Sequence, residues 1–239
     1  VKFSGVLGLL GGNEMRPGCR QFDTALVEAA GNPSHVAIVP TAVVQNGSVG
    51  AAMALARKYF GALGLKVTHV DLHRRSDASK PEIVAALRGA RLTYLLGGDP
   101  GYLLDTLQDS PAWDALRSGL GEGAALAGSS AGAMVMAETL LLRSRNPRPQ
   151  ARHGRGALSI LPGVVIIPHL NTFGDAWLEA ARREARERDI IGLDEATGMI
   201  FSGAWTVHGP GAVKLWRGGH DPALVKRDGE ALRWRAPGG

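Results

Sequence analysis

The run Leu126-Ala-Gly-Ser-Ser-Ala-Gly-Ala133 constrains the fold of this chain more than any other feature. It has the form of an apolar strand entering a sharp turn and leaving it as a helix. Ser130 stands at the centre of Gly128-x-Ser130-x-Gly132, the spacing of a nucleophile elbow. The small flanking residues have a steric purpose. A serine hydroxyl projecting from so tight a turn needs neighbours that collide with neither backbone nor substrate. The same turn sets Ser130 at a helix start, where free N–H groups can face a developing oxyanion. A structural turn serine or a helix cap shares this local pattern, so a catalytic role for Ser130 depends on its partners.

Strand-like and helix-like segments alternate around that elbow. Strands are expected at Phe3–Leu10, Val36–Val39, Lys66–Val70, Leu92–Leu96, Ala124–Ala127 and Val164–Ile167. Helices are expected near Phe22–Ala30, Val49–Phe60, Pro81–Leu87, Tyr102–Leu107, Ala112–Leu116 and Ala176–Arg188, and the elbow helix is expected to run from Ala131 to about Glu138. The order predicts an α/β fold, a mostly parallel sheet flanked by helices on both faces. After Asp189 the character changes. Ile190–Leu193, Gly198–Phe201, Thr206–His208, Ala212–Trp216 and Ala231–Trp234 are short runs punctuated by Gly and Pro, and read as antiparallel strands or hairpins added to the main sheet. At 239 residues the chain is expected to form one domain over 1–239, with 198–239 as a strand-rich extension of it. Arg143–Gly156, rich in Arg, Pro, Asn and Gly, is expected to be a mobile loop.

Composition removes several function classes. The formal charge of +5 is spread over scattered arginines, and the densest stretch, Arg182 to Arg188, is interrupted by Glu184 and Glu187. That reads as a solvated helix face, so nucleic acid is not expected as a partner. Cys19 is the sole cysteine and excludes an intramolecular disulfide. Neither a His-Glu-x-x-His motif nor a close ligand cluster stands out, so no metal is expected. Gly8–Asn13 and Gly97–Gly101 do not match the dinucleotide fingerprint, and no cofactor is expected. Phe3–Leu10 is too short for a secretory h-region and no run is long enough to span a bilayer, so the expected location is cytoplasmic, away from the membrane. A homodimer or higher homo-oligomer is compatible with the sequence.

A serine needs a base, and the base needs an orienting acid. His169 follows the apolar run Val164-Val-Ile-Ile-Pro168 and should emerge at a strand's C-terminal end, as Ser130 does. Ligands of open α/β sheets bind along that edge. His153 is the minor rival. The acid comes from Ile191-Gly-Leu-Asp-Glu-Ala-Thr-Gly198, where residue chemistry leaves Asp194 and Glu195 both open. Leu95-Leu-Gly-Gly-Asp-Pro-Gly101 is a second glycine turn after a strand. Gly98 N–H and Ala131 N–H are the candidate oxyanion donors, and Asp99 either caps the next helix or faces substrate. Gly11-Gly12-Asn13-Glu14 joins the first strand to the same edge, with Asn13 and Glu14 as candidates for a substrate wall.

The set Leu9-Leu-Gly-Gly-Asn-Glu14, Leu96-Gly-Gly-Asp99, Gly128-Ser-Ser-Ala-Gly132, the strand ending in His169, and Leu193-Asp-Glu-Ala-Thr197 resembles the serine-peptidase family that includes peptidase E (aspartyl dipeptidase) and cyanophycinase. The resemblance covers nearly the whole chain. It implies an architecture like that of class I glutamine amidotransferase domains and the site order Ser130, His169, Glu195. Its Asp-Glu-x-Thr segment selects Glu195 as the acid. The activity implied is hydrolysis of small peptides, dipeptidase- or aminopeptidase-like. The alternatives are a cyanophycinase-like isopeptidase, an esterase or amidase with the same triad, and a non-catalytic binding protein. Cyanophycinases typically carry Asp-Gln-His-Phe around the histidine and an arginine-rich motif after it. Here Ile167-Pro-His-Leu-Asn-Thr-Phe173 stands instead, which argues against that polymer as substrate and makes Asn171 and Thr172 candidates for the specificity pocket. A cation for an acidic peptide would have to come from Arg143, Arg145, Arg152 or Arg155.

Overall fold

The computed structural model describes residues 4–143, 152–184 and 187–238. Two sheets carry the fold. The first contains five parallel strands in the order β3 (Lys66–His69), β2 (His35–Val39), β4 (Leu92–Leu95), β5 (Ala125–Ser129) and β1 (Val6–Leu10). It continues antiparallel through β10 (Gly198–Phe201), β11 (Trp205–His208) and β14 (Ala231–Leu232). The second sheet runs β7 (Arg152–Gly156), β6 (Ala137–Arg143), β8 (Leu161–Ile167), β9 (Asp189–Leu193), β12 (Ala212–Trp216) and β13 (Leu224–Arg227), with β6, β8 and β9 parallel.

The layering follows from strands that are apolar on both faces. In β1, Val6 and Leu10 pack into one core while Leu7 and Leu9 pack into another. The first of these cores is closed by α1 (Arg20–Ala29) and α2 (Val49–Gly61). The other lies between the two sheets and takes in α3 (Pro81–Gly89), α4 (Pro100–Leu107) and α5 (Pro111–Gly121). A third cluster packs α7 (Leu170–Glu184) against the far face of the second sheet, through Val165, Ile167, Ala181 and Trp216. The helix starts are encoded locally. Pro81, Pro100 and Pro111 each open a helix, where the missing N–H costs nothing, and Asp99 and Ser110 cap the N–H groups of Tyr102 and Trp113.

Several expectations are corrected here. The elbow helix α6 stops at Met134, and Ala137 begins β6 instead of extending the helix to Glu138. Burial decides this: Ala137 and Leu140 sit in the core between the sheets, and that packing outweighs the helix preference of Ala, Met and Glu. Ile190–Leu193 is not an antiparallel addition to the main sheet, because β9 runs parallel to β8 with Ile167 opposite Gly192. Part of the expected mobile loop is strand β7, paired with β6 from Thr139↔Gly156 to Arg143↔Arg152. The remainder, 144–151 with Arg145, lies outside the described residues.

Candidate active site

The C-terminal ends of parallel strands from both sheets meet at one cleft, and the backbone of Leu10, Gly11 and Gly12 is where they join. Leu10 O accepts the Ser130 N–H at 2.9 Å, and Gly11 O accepts the His169 N–H at 2.8 Å. Gly11 donates to Thr197 O, and Gly12 O accepts the Ala196 N–H. The loop after β1 therefore ties together the segments that carry the serine, the histidine and the acid. A side chain at Gly12 is excluded, since its Cβ would lie 2.1 Å from His169 Cε1 and the residue has φ +122°. The imidazole rests on bare backbone there. The sequence places Gly11–Glu14 at the site edge as a candidate substrate wall, and the backbone ties made by Gly11 and Gly12 are not legible there beyond the paired glycines after an apolar strand.

The elbow is built as its small residues require. Ser130 has φ +47° and ψ −109°, a conformation that L-residues rarely adopt. A Cβ on Gly132 would meet Leu95 O at 2.4 Å, and one on Gly128 would meet the Gly132 backbone at 2.3 Å. The turn thus packs directly on itself and on β4. Five of the nine non-glycine residues with positive φ among the described residues belong to these site loops: Asn13, Met15, Ser130, His169 and Ala196. Each such conformation costs about 1–3 kcal/mol and persists where surrounding structure over-determines it. Here the backbone hydrogen bonds through Leu10–Gly12 supply that restraint.

The side chains form a continuous relay. Ser130 Oγ lies 3.0 Å from His169 Nε2, and His169 Nδ1 lies 2.8 Å from Glu195 Oε1. Both the imidazole and the carboxylate are about a quarter exposed. Glu195 is held below the usual carboxylate range, first by the His169 hydrogen bond and then by the His169 charge and by the Thr172 and Asn13 side chains, with burial opposing. The stabilisation from this pairing is therefore present above the ordinary glutamate pKa and is lost as pH falls through the depressed one.

Asn13, Asn171 and Thr172, the expected substrate contacts, direct their polar atoms to Glu195. Asn13 Nδ2 donates to Glu195 Oε2 at 2.8 Å, Asn171 Oδ1 accepts the Glu195 N–H at 2.9 Å, and the Thr172 hydroxyl bonds the carboxylate. Glu14 is turned inward as well. Its carboxylate accepts the Gly97 N–H at 2.8 Å and the Ser129 hydroxyl at 2.7 Å, bracing the second glycine turn against the elbow. Asp99 caps α4 through the Tyr102 N–H and also lines the cleft. Of the two acids left open, Asp194 Oδ2 accepts the Ala212 N–H, and Glu195 Oε1 lies beside His169 Nδ1. His153 lines the cleft, but the hydrogen bond to Ser130 comes from His169.

The cleft has a volume of about 920 Å³. Ser130, His169 and Gly98 line it, with Met134, Leu141, Phe173 and Trp177 as apolar lining and Asp99, Asp105, Arg143 and Arg155 as charged lining. Phe173 is half exposed and meets the His169 ring edge-on at 6.0 Å between centroids. Arg155 pairs with Asp105 at 2.7 Å, whereas Arg143 has no carboxylate partner among the described residues. The arrangement can generate a serine alkoxide equivalent beside a groove that offers apolar contact and both signs of charge.

The sequence profile of peptidase family S51 matches residues 7–206. The cyanophycinase of a Nostoc species is 26% identical over 215 residues, covering 87% of this chain and 72% of that protein. The cyanophycinase of Thermosynechococcus vestitus is 27% identical over 220 residues, covering 88% of this chain and 67% of that one. Among solved structures, a peptidase from an acI-B1 actinobacterium superposes with a TM-score of 0.83 at 29% identity, over 96% of this chain and 97% of that one. A peptidase E candidate from Listeria monocytogenes EGD-e superposes with a TM-score of 0.59 at 18% identity, over 93% and 98%. Among the described residues, no helix is long and apolar enough to cross a membrane.

Proposed function

The chain belongs to peptidase family S51 and is a serine peptidase, and from that premise we propose that it hydrolyses short peptides through an acyl-enzyme on Ser130. The observation that carries this reading is the unbroken relay from the Ser130 hydroxyl through His169 to Glu195, at 3.0 and 2.8 Å. His169 takes the hydroxyl proton as Ser130 Oγ attacks the scissile carbonyl carbon, and Glu195 compensates the imidazolium charge. The N–H groups of Gly98 and Ala131 face the oxyanion, and losing one such donor commonly costs about 3 kcal/mol. His169 then returns the proton to the leaving amine. Water enters, gives its proton to His169 and cleaves the acyl bond, and the proton returns to Ser130.

The substrate is a short peptide with free ends, so the activity is dipeptidase- or aminopeptidase-like. A cleft of about 920 Å³ holds a few residues rather than a folded chain. Asp99 on its wall suits an N-terminal ammonium, Arg143, without a carboxylate partner among the described residues, suits a carboxylate, and Phe173 with Met134 suits an apolar side chain. A second reading, cyanophycinase activity, rests on the relatives at 26–27% identity. Mass-spectrometric profiling of free and N-blocked peptides, with cyanophycin alongside and Ser130→Ala as control, separates the two. The expected result is Ser130-dependent cleavage of unblocked short peptides. Equal cleavage of blocked peptides would remove the exopeptidase reading, and Ser130-dependent loss of cyanophycin alone would favour the second. A serine-directed fluorophosphonate should label the wild type and leave Ser130→Ala unmarked.

A further inference from the structure

Where β3 ends, the chain runs on through His69-Val70-Asp71-Leu72-His73 with a tight turn at Asp71, closed by the Leu72 N–H to Val70 O at 2.7 Å. Val70 and Leu72 are buried in the core, which turns His69, Asp71 and His73 together toward the surface. Their ligating atoms, one from each residue, all lie within 4.8 Å of one another. Spacing of this kind escapes a search for helical ligand motifs, and the sequence reading accordingly found no close cluster.

The geometry points to a divalent transition-metal site of the Zn²⁺ type formed by His69, Asp71 and His73, separate from the hydrolytic cleft. His69 Nε2 and His73 Nε2 are 3.4 Å apart. Two imidazoles bound tetrahedrally at 2.0–2.1 Å stand roughly 3.3–3.4 Å apart, so the pair already has the bite that zinc requires. Asp71 Oδ1 lies 3.3 Å from His69 Nδ1 and 4.0 Å from His73 Nε2, and its exposed side chain is free to swing to the third position. Two nitrogens and one carboxylate favour a borderline cation over Mg²⁺ or Ca²⁺, which prefer all-oxygen shells. Three protein ligands leave a position for water.

The backbone that carries the ligands is already braced. Asp77 Oδ2 accepts the N–H groups of His73 and Arg74 at 3.1 Å each, while Asp77 itself pairs with Lys80 at 2.7 Å. The Tyr102 hydroxyl donates to His73 O at 2.8 Å. A metal would meet a turn whose main chain needs little further ordering. None of the three ligands lines the cleft that holds Ser130.

The test is titration of the whole chain with Co²⁺ and with Zn²⁺, read by visible absorption and by competition with a chromophoric chelator. One equivalent of Co²⁺ should give the intense d–d bands of a tetrahedral centre, and Zn²⁺ should displace it. His69→Gln and His73→Gln should each weaken binding at least 10-fold, and Asp71→Asn by less. Fluorophosphonate labelling of Ser130 should be unchanged in all three, which shows that they fold. Should a variant fail to fold, the histidine ring ¹⁵N resonances of the wild type serve instead, with His69 and His73 shifting on Zn²⁺ addition. Binding that survives both His69→Gln and His73→Gln, or that disappears only in His169→Gln, overturns the assignment.

Discussion

Glu195 and Asp23 are both carboxylates close to the loop that follows β1, and the protein treats their charges in opposite ways. Glu195 is partly exposed and accepts from His169, Asn13 and Thr172, so its charged form is favoured. Asp23, on α1, is fully buried. It accepts from the Tyr59 hydroxyl at 2.8 Å, with the Tyr94 hydroxyl as a further neighbouring donor. Burial pushes it up to about 7, the charge of Glu14 adds to the rise, and the Tyr59 and Tyr94 hydroxyls oppose it. The number of donors measured against desolvation sets the sign in each case. The side chain that must stay charged for the relay is surrounded by donors, and the one that serves no relay is left in the core. The single cysteine follows the same logic: Cys19 is pushed up to about 12, first by burial and then by the Asp23 charge, and its thiol hydrogen-bonds Asn13 O. It braces the active-site loop through that bond.

The contrast breaks most visibly at Glu195. Glu195→Gln keeps the shape and removes the charge, and an amide that donates to His169 imposes the wrong tautomer. We expect kcat to fall on the order of 10³–10⁴-fold, with little change in unfolding free energy. A loss below tenfold would place the orienting charge elsewhere.

Asp23→Asn reverses the pattern, leaving kcat alone and altering stability. The folded-state value is raised from 3.8 to about 7. The associated stability is therefore fully present below about pH 4 and is lost as pH rises through about 7. Three units correspond to on the order of 4 kcal/mol. Denaturant unfolding from pH 4 to 8 should show that slope in the wild type and lose it in Asp23→Asn; parallel curves for the two proteins would sink the idea. Tyr59→Phe is a smaller step in the opposite sense, because losing this donor raises Asp23 further and steepens the slope. Removing the donor should cost about 1.5–3 kcal/mol at pH 8, where the bond is to a charge, and about 1 kcal/mol at pH 4. An equal cost at both pH values would mean that Asp23 does not change its charge across this range.

The parts of this molecule that were legible in sequence are those set by local chemistry. Ser130 was marked by small residues that a strained turn requires, and His169 by the apolar run that delivers it to a strand end. What was not legible depends on neighbours distant in sequence. A parallel strand of the second sheet has the same one-dimensional pattern as one of the first, so β6, β8 and β9 did not announce a separate sheet. β6 was further disguised by Ala, Met and Glu, which favour helix until the core claims Ala137 and Leu140. Asn13, Asn171 and Thr172 were placed at the right edge, but their contacts to Glu195 were not foreseen. A polar side chain on a loop does not reveal whether it turns toward solvent or toward a carboxylate delivered from more than twenty residues away.

Those residues also supply the finest test of the comparison between the two carboxylates. If Glu195 owes its charged state to several donors, then removing one that never touches the histidine should act through the acid alone. Asn13 Nδ2 bonds Oε2, while His169 takes Oε1. Asn13→Ala should therefore leave the relay connected but less firmly oriented, lowering kcat about tenfold, or roughly 1.4 kcal/mol. KM should stay nearly unchanged if Asn13 positions Glu195, whereas a substrate contact at this residue would raise KM and spare kcat. Asn13→Asp puts a second negative charge against Glu195 and raises its pKa, so activity at acidic pH should suffer more than in Asn13→Ala. Identical pH profiles for the two variants would show that Asn13 acts as a spacer, and that His169 and Thr172 suffice to hold the charge.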